Sequence, residues 1–524
     1  MAESTSAWLT ALPWLSLLPP IIAIVLALIT KEVISSLLIG VLSGAFIFSD
    51  GNPIKMVVNV FEIMSTKMGE NAYIILFLAL LGVLVILITM AGGSNAYGEW
   101  AARKIKTRAG AQLATSVLGC LIFIDDYFNC LTIGTVMRPV TDKHRISRAK
   151  LAYIIDATAA PICIIAPISS WALAVTSIMS SSGVSATSTM DAFMNTIPYN
   201  LYAFLTIFMV VIMSVTNLEF GPMAKFEKNA IEKGDLHSSS GDVQSQEEFD
   251  NMEISKKGRV FDLVIPILAL IIFAILSMLY LGDFFTDAYA GEPFINQLMS
   301  AFGNTNSGQA LVIAAFGALL VAFFLFVPRK LMSFRKFMDA IPQGVKSMVS
   351  AIIILCLAWS ISGICSADYL QTGNYVGQLV HDANVPLQFI PAVIFVVACL
   401  LAFATGTSWG TFGILIPIVV PVLGSSAFLY PALGATLAGA VFGDHISPIS
   451  DTTILSSTGA RCNHIDHVST QLVYTIPVAI CCVIGYILDI FIGNAWITLA
   501  ISLALLALTL FILHRVSVKK TAEA

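Results

Sequence analysis

The feature that most constrains this chain is how rarely charge interrupts it: apolar runs near 20 residues recur from end to end, separated by short polar loops. A run of that length spans the hydrocarbon core of a bilayer as an α-helix. In that medium the backbone must satisfy its own hydrogen bonds, so helices are the expected building block. Of 524 residues, 57% are hydrophobic and 11% charged, with a mean hydropathy of +0.87. A soluble domain carries about 25% charged residues, so this composition excludes a soluble enzyme or nucleic-acid-binding domain, and the lipid bilayer is the first expected partner. The net charge of −5 lies almost entirely in loops. Seven of the nine cysteines (Cys120, Cys130, Cys163, Cys356, Cys399, Cys481, Cys482) fall inside apolar segments, as small buried residues rather than a disulfide framework. No CxxC, HExxH or Walker-type glycine loop is present, and no cofactor is expected. The N-terminal MAESTSAW lacks a basic region, so the first apolar segment is expected to be a retained helix.

Candidate spans are 13–30, 33–49, 72–92, 149–180, 196–216, 260–281, 308–327, 346–364, 432–459, 468–492 and 495–514. Lys and Arg mark the cytoplasmic side. The flanks 93–110 and 138–150 are both basic, yet one apolar stretch separates them, which predicts a re-entrant hairpin at 111–137. The stretch 388–424 lies between 365–387 and 425–431, both without Lys or Arg, which predicts a second hairpin opening outward. The expectation is an all-α polytopic membrane protein with about eleven spanning helices and two hairpins, N-terminus outside and C-terminus cytoplasmic. The order of elements repeats in inverted orientation. It predicts a first repeat over 1–216, a cytoplasmic linker loop over 217–259, a second repeat over 260–492, and a last helix with tail over 493–524. Weak echoes support it: DATAAP (156–161) aligns with GDHISP (443–448), and both run on to a Ser-Ser pair. Inverted repeats with interrupted helices bind substrates near the midplane in secondary transporters.

An ionisable side chain inside an apolar helix is costly, so each is a functional candidate. They are few: Asp125 and Asp126 at the first hairpin tip, Asp156 after it, and Asp444, His445 and Asp451 in the mirrored helix. An acidic interior favours a cation, or a zwitterion accompanied by one. In FGDHISPISDTT (442–453), Gly443 and Pro448 break the helix, while Asp444, Ser447, Asp451, Thr452 and Thr453 supply the oxygen ligands that hard cations prefer. The second tip offers Thr405, Thr407 and Ser408 between glycines, and the first offers Asp125, Asp126 and Asn129, with one functional aspartate expected of the two. Asp156 is followed by Thr158. His445 is either a proton relay or an ordinary hydrogen-bonded histidine. Tyr127 and Trp409 either pack or line a substrate pocket.

The runs ATGTSWGTFGILIPI, GDHISPISDTTILSS and FIDDYFN together resemble the NhaC family of sodium/proton antiporters, over nearly all of the chain. The resemblance implies a protein of the bacterial inner membrane that exchanges Na⁺ for H⁺ by alternating access. It implies a scaffold domain, a transport domain carrying both hairpins, and a homodimer. The family also includes carriers of amino acids and of malate or lactate. A small zwitterionic or anionic solute moved with Na⁺ is therefore the alternative cargo.

The linker is polar, rich in Ser and acids, and too poor in apolar residues to form a core. Replacing 236–252 with a short Gly/Ser linker is expected to leave transport and its pH profile unchanged; a shifted pH optimum would make the segment a sensor.

Overall fold

The computed structural model describes the chain apart from residues 1–5, 31, 124–125, 168, 185–188, 238–253, 290, 292, 383–384, 425 and 524. Among the described residues every regular element is a helix. Seven are long and apolar enough to cross a bilayer: Ala72–Met90, Leu201–Lys233, Phe261–Leu281, Gly308–Phe326, Leu387–Thr405, His464–Ile492 and Ala495–Arg515. An eighth is possible if Phe334–Val349 and Ile352–Ile364, bent by 41°, are taken as one span. The chain is therefore an all-α polytopic membrane protein.

Against the eleven expected spans, three kinds of difference stand out. The first two apolar segments form shorter helices, Pro13–Ala27 and Ile34–Phe48. The stretch 149–180 is divided into Arg148–Asp156, Ala160–Cys163 and Ser170–Ser181, and 432–459 into Leu429–Ile446 and Asp451–Ala460. Proline explains both divisions, since Pro161 opens a new helical turn and Pro448 lacks the N–H that would continue one. Leu387–Thr405, expected to be half of a hairpin, is long enough to cross by itself. The linker is not loop throughout: Gly221–Lys233 is helical, while 238–253 lies outside the described residues.

Nine helices build the centre. They are α1 (Arg108–Leu121), α2 (Asp126–Lys143), α3 (Arg148–Asp156), α4 (Leu201–Thr216), α5 (Ile390–Thr405), α6 (Ser408–Leu423), α7 (Leu429–Ile446), α8 (Asp451–Ala460) and α9 (His464–Ile492). Short polar side chains start six of them by accepting an orphan backbone N–H: Thr107, Ser147, Asn200, Thr407, Ser450 and Asn463. Both predicted hairpin stretches contain two helices in succession, α1 ending at Leu121 before α2 opens at Asp126, and α5 and α6 separated by Gly406–Thr407. Gly406 ends α5 at φ +65°, where a side chain would strain the turn.

The apolar residues form two cores. One gathers Ala72–Met90, Phe261–Leu281 and Gly308–Phe326 with parts of α2 and α8; the other gathers α4, α5, α6, α7 and most of α9. The α7–α8 interruption lies where the cores meet. In lipid the helices associate by close packing, which small residues permit. A Cβ on Gly443 of α7 would stand 2.2 Å from the Cys399 carbonyl oxygen of α5, and one on Gly439 would stand 2.4 Å from that of Phe395. Gly134 of α2 meets Gly459 of α8 as closely, with its Cβ 2.3 Å from the Gly459 carbonyl carbon.

These contacts are backbone on backbone, so the added methyl of Gly443→Ala must push α5 and α7 apart. The expected cost is about 1–3 kcal/mol, read as a lowered unfolding temperature in detergent. Gly69→Ala, which points into open space, is expected to leave that temperature unchanged.

Candidate functional site

Residues 447–450, Ser-Pro-Ile-Ser, interrupt the helix that α7 and α8 would otherwise make. Ser447 is extended (φ −83°, ψ 128°), as the residue before a proline must be. Ser450 then accepts the Thr453 N–H at 3.2 Å and starts α8. Two carboxylates flank the break at opposite kinds of helix end. Asp444 lies in the last turn of α7, where aligned peptide dipoles gather partial negative charge; Asp451 lies in the first turn of α8, where they gather positive charge. Both are buried.

Their surroundings differ accordingly. Asp451 Oδ1 accepts the Thr452 N–H at 2.8 Å, and Oδ2 accepts the Tyr127 hydroxyl from the first turn of α2. Asp444 Oδ2 accepts Ser408 Oγ at 2.9 Å and, more distantly, Thr452 Oγ1 at 3.5 Å. Asp444 Oδ1 is buried and has no hydrogen-bond partner among the described residues. An anionic oxygen that lacks a donor and sits at the negative end of a helix is arranged to attract a cation.

Asp156, the last residue of α3, is the opposite case. Its Oδ1 accepts Ser456 Oγ at 3.2 Å, and its Oδ2 accepts Thr453 Oγ1 at 3.0 Å and Gln471 Nε2 at 2.6 Å. His445 Nε2 and His467 Nε2 stand 3.7 and 3.8 Å away. His445 Nδ1 lies 3.0 Å from the Tyr202 hydroxyl.

The other expected ligands are engaged in holding backbone. Ser447 Oγ donates to the Phe403 carbonyl at 2.8 Å, Thr405 Oγ1 to that of Leu401 at 2.8 Å, and Thr158 Oγ1 to that of Ile154 at 2.7 Å. Thr407 caps α6. Asn129 Nδ2 reaches the carbonyls of Gly119, Ile122 and Thr158, tying the first hairpin to the end of α3. Asp126 is buried as the first residue of α2, whereas Asp125 lies outside the described residues. Trp409 stacks on Trp171 and Phe412 at 5.1 and 5.7 Å between ring centres. Gln471, His467, Ser456 and Tyr202 were not among the expected site residues. His464, His467 and Gln471 do share one face of α9 at i, i+3 and i+7, a signal present in the sequence. No group of three or more His, Cys, Asp or Glu suited to holding a resident metal occurs among the described residues.

The chain resembles known proteins at several ranges. It is 39% identical to an uncharacterized protein of Haemophilus influenzae over 496 residues, 92% of this chain and 91% of that one. It is 34% identical to a malate-2H⁺/Na⁺-lactate antiporter of Bacillus subtilis, over 28% of this chain and 31% of the relative. It is 29% identical to the Na⁺/H⁺ antiporter NhaC of Alkalihalophilus pseudofirmus, over 29% of this chain and 32% of the relative. A solved transporter from Alcanivorax borkumensis aligns with 84% of this chain and 88% of its own, but at 15% identity and a TM-score of 0.32 it carries no argument. The model of the Na⁺/H⁺ antiporter family matches residues 177–489. Because that match takes in more than half of the chain, including both halves of the interrupted helix and their two carboxylates, the chain belongs to the Na⁺/H⁺ antiporter family.

Proposed function

We propose that this antiporter-family protein exchanges Na⁺ for H⁺, with both ions competing for the carboxylates at the α7–α8 interruption. The observation that carries the reading is Asp444 Oδ1, buried without a partner at the C-terminal end of α7. Asp444, Ser408 and Thr452 form one side of the cation's oxygen shell, and Asp451 with Tyr127 forms the other. Either ion neutralises the centre, and the neutral centre crosses between the two faces at a lower electrostatic cost than the bare anion. Asp156 is assigned a holding role, because donors already fill its two oxygens. Cation hydration is replaced by these fixed oxygens, so no resident cofactor takes part.

The inverted arrangement belongs to the same proposal, with repeats over 1–216 and 260–492, the N-terminus outside, the C-terminus cytoplasmic, and two copies forming a dimer. It is supported by the matching order in the two halves: each helix–break–helix is followed by a helix with a carboxylate in its last turn, Asp156 or Asp444. A second reading is Na⁺-coupled transport of an amino acid or small organic acid. It is favoured by Trp171, whose buried indole N–H lacks an acceptor beside Trp409, and by the B. subtilis relative's name.

In proteoliposomes, Na⁺-driven proton movement without any organic solute supports the exchanger; silence relieved by an amino or organic acid supports the carrier. Asp444→Asn and Asp451→Asn are each expected to abolish Na⁺-dependent transport while leaving membrane insertion intact. Ser408→Ala removes one hydroxyl from the shell and is expected to weaken apparent Na⁺ affinity about threefold to tenfold. Wild-type Na⁺ affinity in Asp444→Asn would refute the ligand assignment.

A further inference from the structure

Seven residues after α8 begins, its inner face meets the start of α9 in a chain of polar groups that the exchange reading leaves unused. His464 Nε2 lies 2.7 Å from the Pro448 carbonyl, and His464 Nδ1 lies 3.1 Å from Ser457 Oγ. The same Ser457 oxygen lies 2.9 Å from His467 Nδ1, and His467 Nε2 lies 3.0 Å from Gln471 Oε1. Gln471 Nε2 completes the chain on Asp156 Oδ2 and the His445 carbonyl, both at 2.6 Å. All of these side chains are buried.

The acceptors decide where the hydrogens are. Gln471 Nε2 faces a carboxylate and a carbonyl, so the amide is oriented with Oε1 towards His467. Oε1 only accepts, so His467 Nε2 must carry its hydrogen. The Pro448 carbonyl likewise requires a hydrogen on His464 Nε2. If both rings are neutral, each therefore presents a bare Nδ1 to Ser457, whose own hydrogen is taken by the Thr453 carbonyl at 2.7 Å. Both nitrogens are then left lone pair to lone pair with a buried oxygen. Adding one proton relieves this: an imidazolium Nδ1–H donates to Ser457 Oγ while Ser457 O–H stays on the Thr453 carbonyl. A second proton would place two cations on adjacent turns of one helix.

A second observation concerns charge. Asp156 is wholly buried, and among the described residues no Lys or Arg lies within 4 Å of it. Three neutral donors offset part of the cost of burying this carboxylate, and a nearby cation would offset more. A cation on His467 would stand 3.8 Å from it.

We propose that His464 and His467, bridged by Ser457, form a site that binds one shared proton as the counter-charge of Asp156, separate from the carboxylates that bind the exchanged cation. No atom that holds this proton belongs to Asp444 or Asp451. The site lets the protein carry a proton without displacing the cation. The titratable groups facing the pair are Asp156 from α3 and His445 from α7, with the Cys462 thiol against the His467 N–H. From the other packed elements, Tyr202 of α4 is taken up by His445, and Glu227 of the Gly221–Lys233 helix by Arg108.

The site stands whatever the cargo. Purified full-length protein labelled with ¹⁵N-histidine is titrated by NMR in detergent, with His464→Gln and His467→Gln used to assign the two rings. One proton shared by the pair is expected, and Ser457→Ala or Asp156→Asn is expected to lower its affinity at least about tenfold. Ser457→Thr keeps the hydroxyl and should restore it, which separates the bridge from a folding defect. Two rings that titrate independently and ignore Ser457→Ala would overturn the proposal. So would two neutral rings beside an Asp156 whose infrared carboxyl band shows it protonated. Neither measurement involves Na⁺, so failure of the exchange reading would leave this result interpretable.

Discussion

Everything at the centre depends on how the backbone freed between α7 and α8 is satisfied. A bilayer offers no water to a broken helix, so each loose peptide group needs a partner from the protein. The partners are specific: His464 takes the Pro448 carbonyl, Ser450 takes the Thr453 N–H, and the Ser447 N–H closes back on the Asp444 carbonyl at 2.9 Å. Ser447 in turn spends its hydroxyl on the end of α5. The break is thus held by α5 on one side and α9 on the other. Those ties fix Asp444 and Asp451 beside each other at helix ends of opposite polarity.

The parts of this centre visible in the sequence are those whose burial is expensive. Asp156, Asp444 and Asp451 stand out because a carboxylate in an apolar run must have a purpose, and the structure brings all three to one region through α8. The hydroxyls are less legible. Thr405, Ser447 and Thr158 have the chemistry of ligands, but a nearby carbonyl takes each of them, and composition does not distinguish the two uses. His467 and Gln471 were hidden for other reasons. The apolar window that defines a span begins at Val468, so the first turn of α9, with His467, reads as a loop flank although it is the buried end of the longest continuous helix at the site, while Gln471 lies inside the window and carries no charge to mark it. Span counting failed in the same way where helices are short or divided, since hydropathy measures apolar length and not continuity.

Basic residues show a related limit. Arg138, Arg148 and Lys150 read as cytoplasmic loop charges, and the structure buries Arg138 and Lys150 and half-buries Arg148. Arg148 Nη1 donates to the Ala460 carbonyl at 2.8 Å, and Arg138 lies 3.5 Å from that of Gly459. Together they answer the open carbonyls and negative pole of α8. Lys150 pairs with Glu219 at 3.1 Å and faces the ring of Tyr474, whose hydroxyl also donates to Glu219. Positive charge on this rim therefore does local structural work.

The glycine contacts carry a mechanical consequence. α2 is pinned to α8 at two heights, by Tyr127 on Asp451 at their first turns and by Gly134 on Gly459 about two turns further along. Two contacts at different heights resist both sliding and pivoting of α2 on α8. α7 is seated on α5 in the same way, through Gly439 and Gly443. The four residues 447–450 thus join an α2–α8 pair to an α5–α7 pair, with Ser408 and Asp444 on one side of the break and Tyr127 and Asp451 on the other.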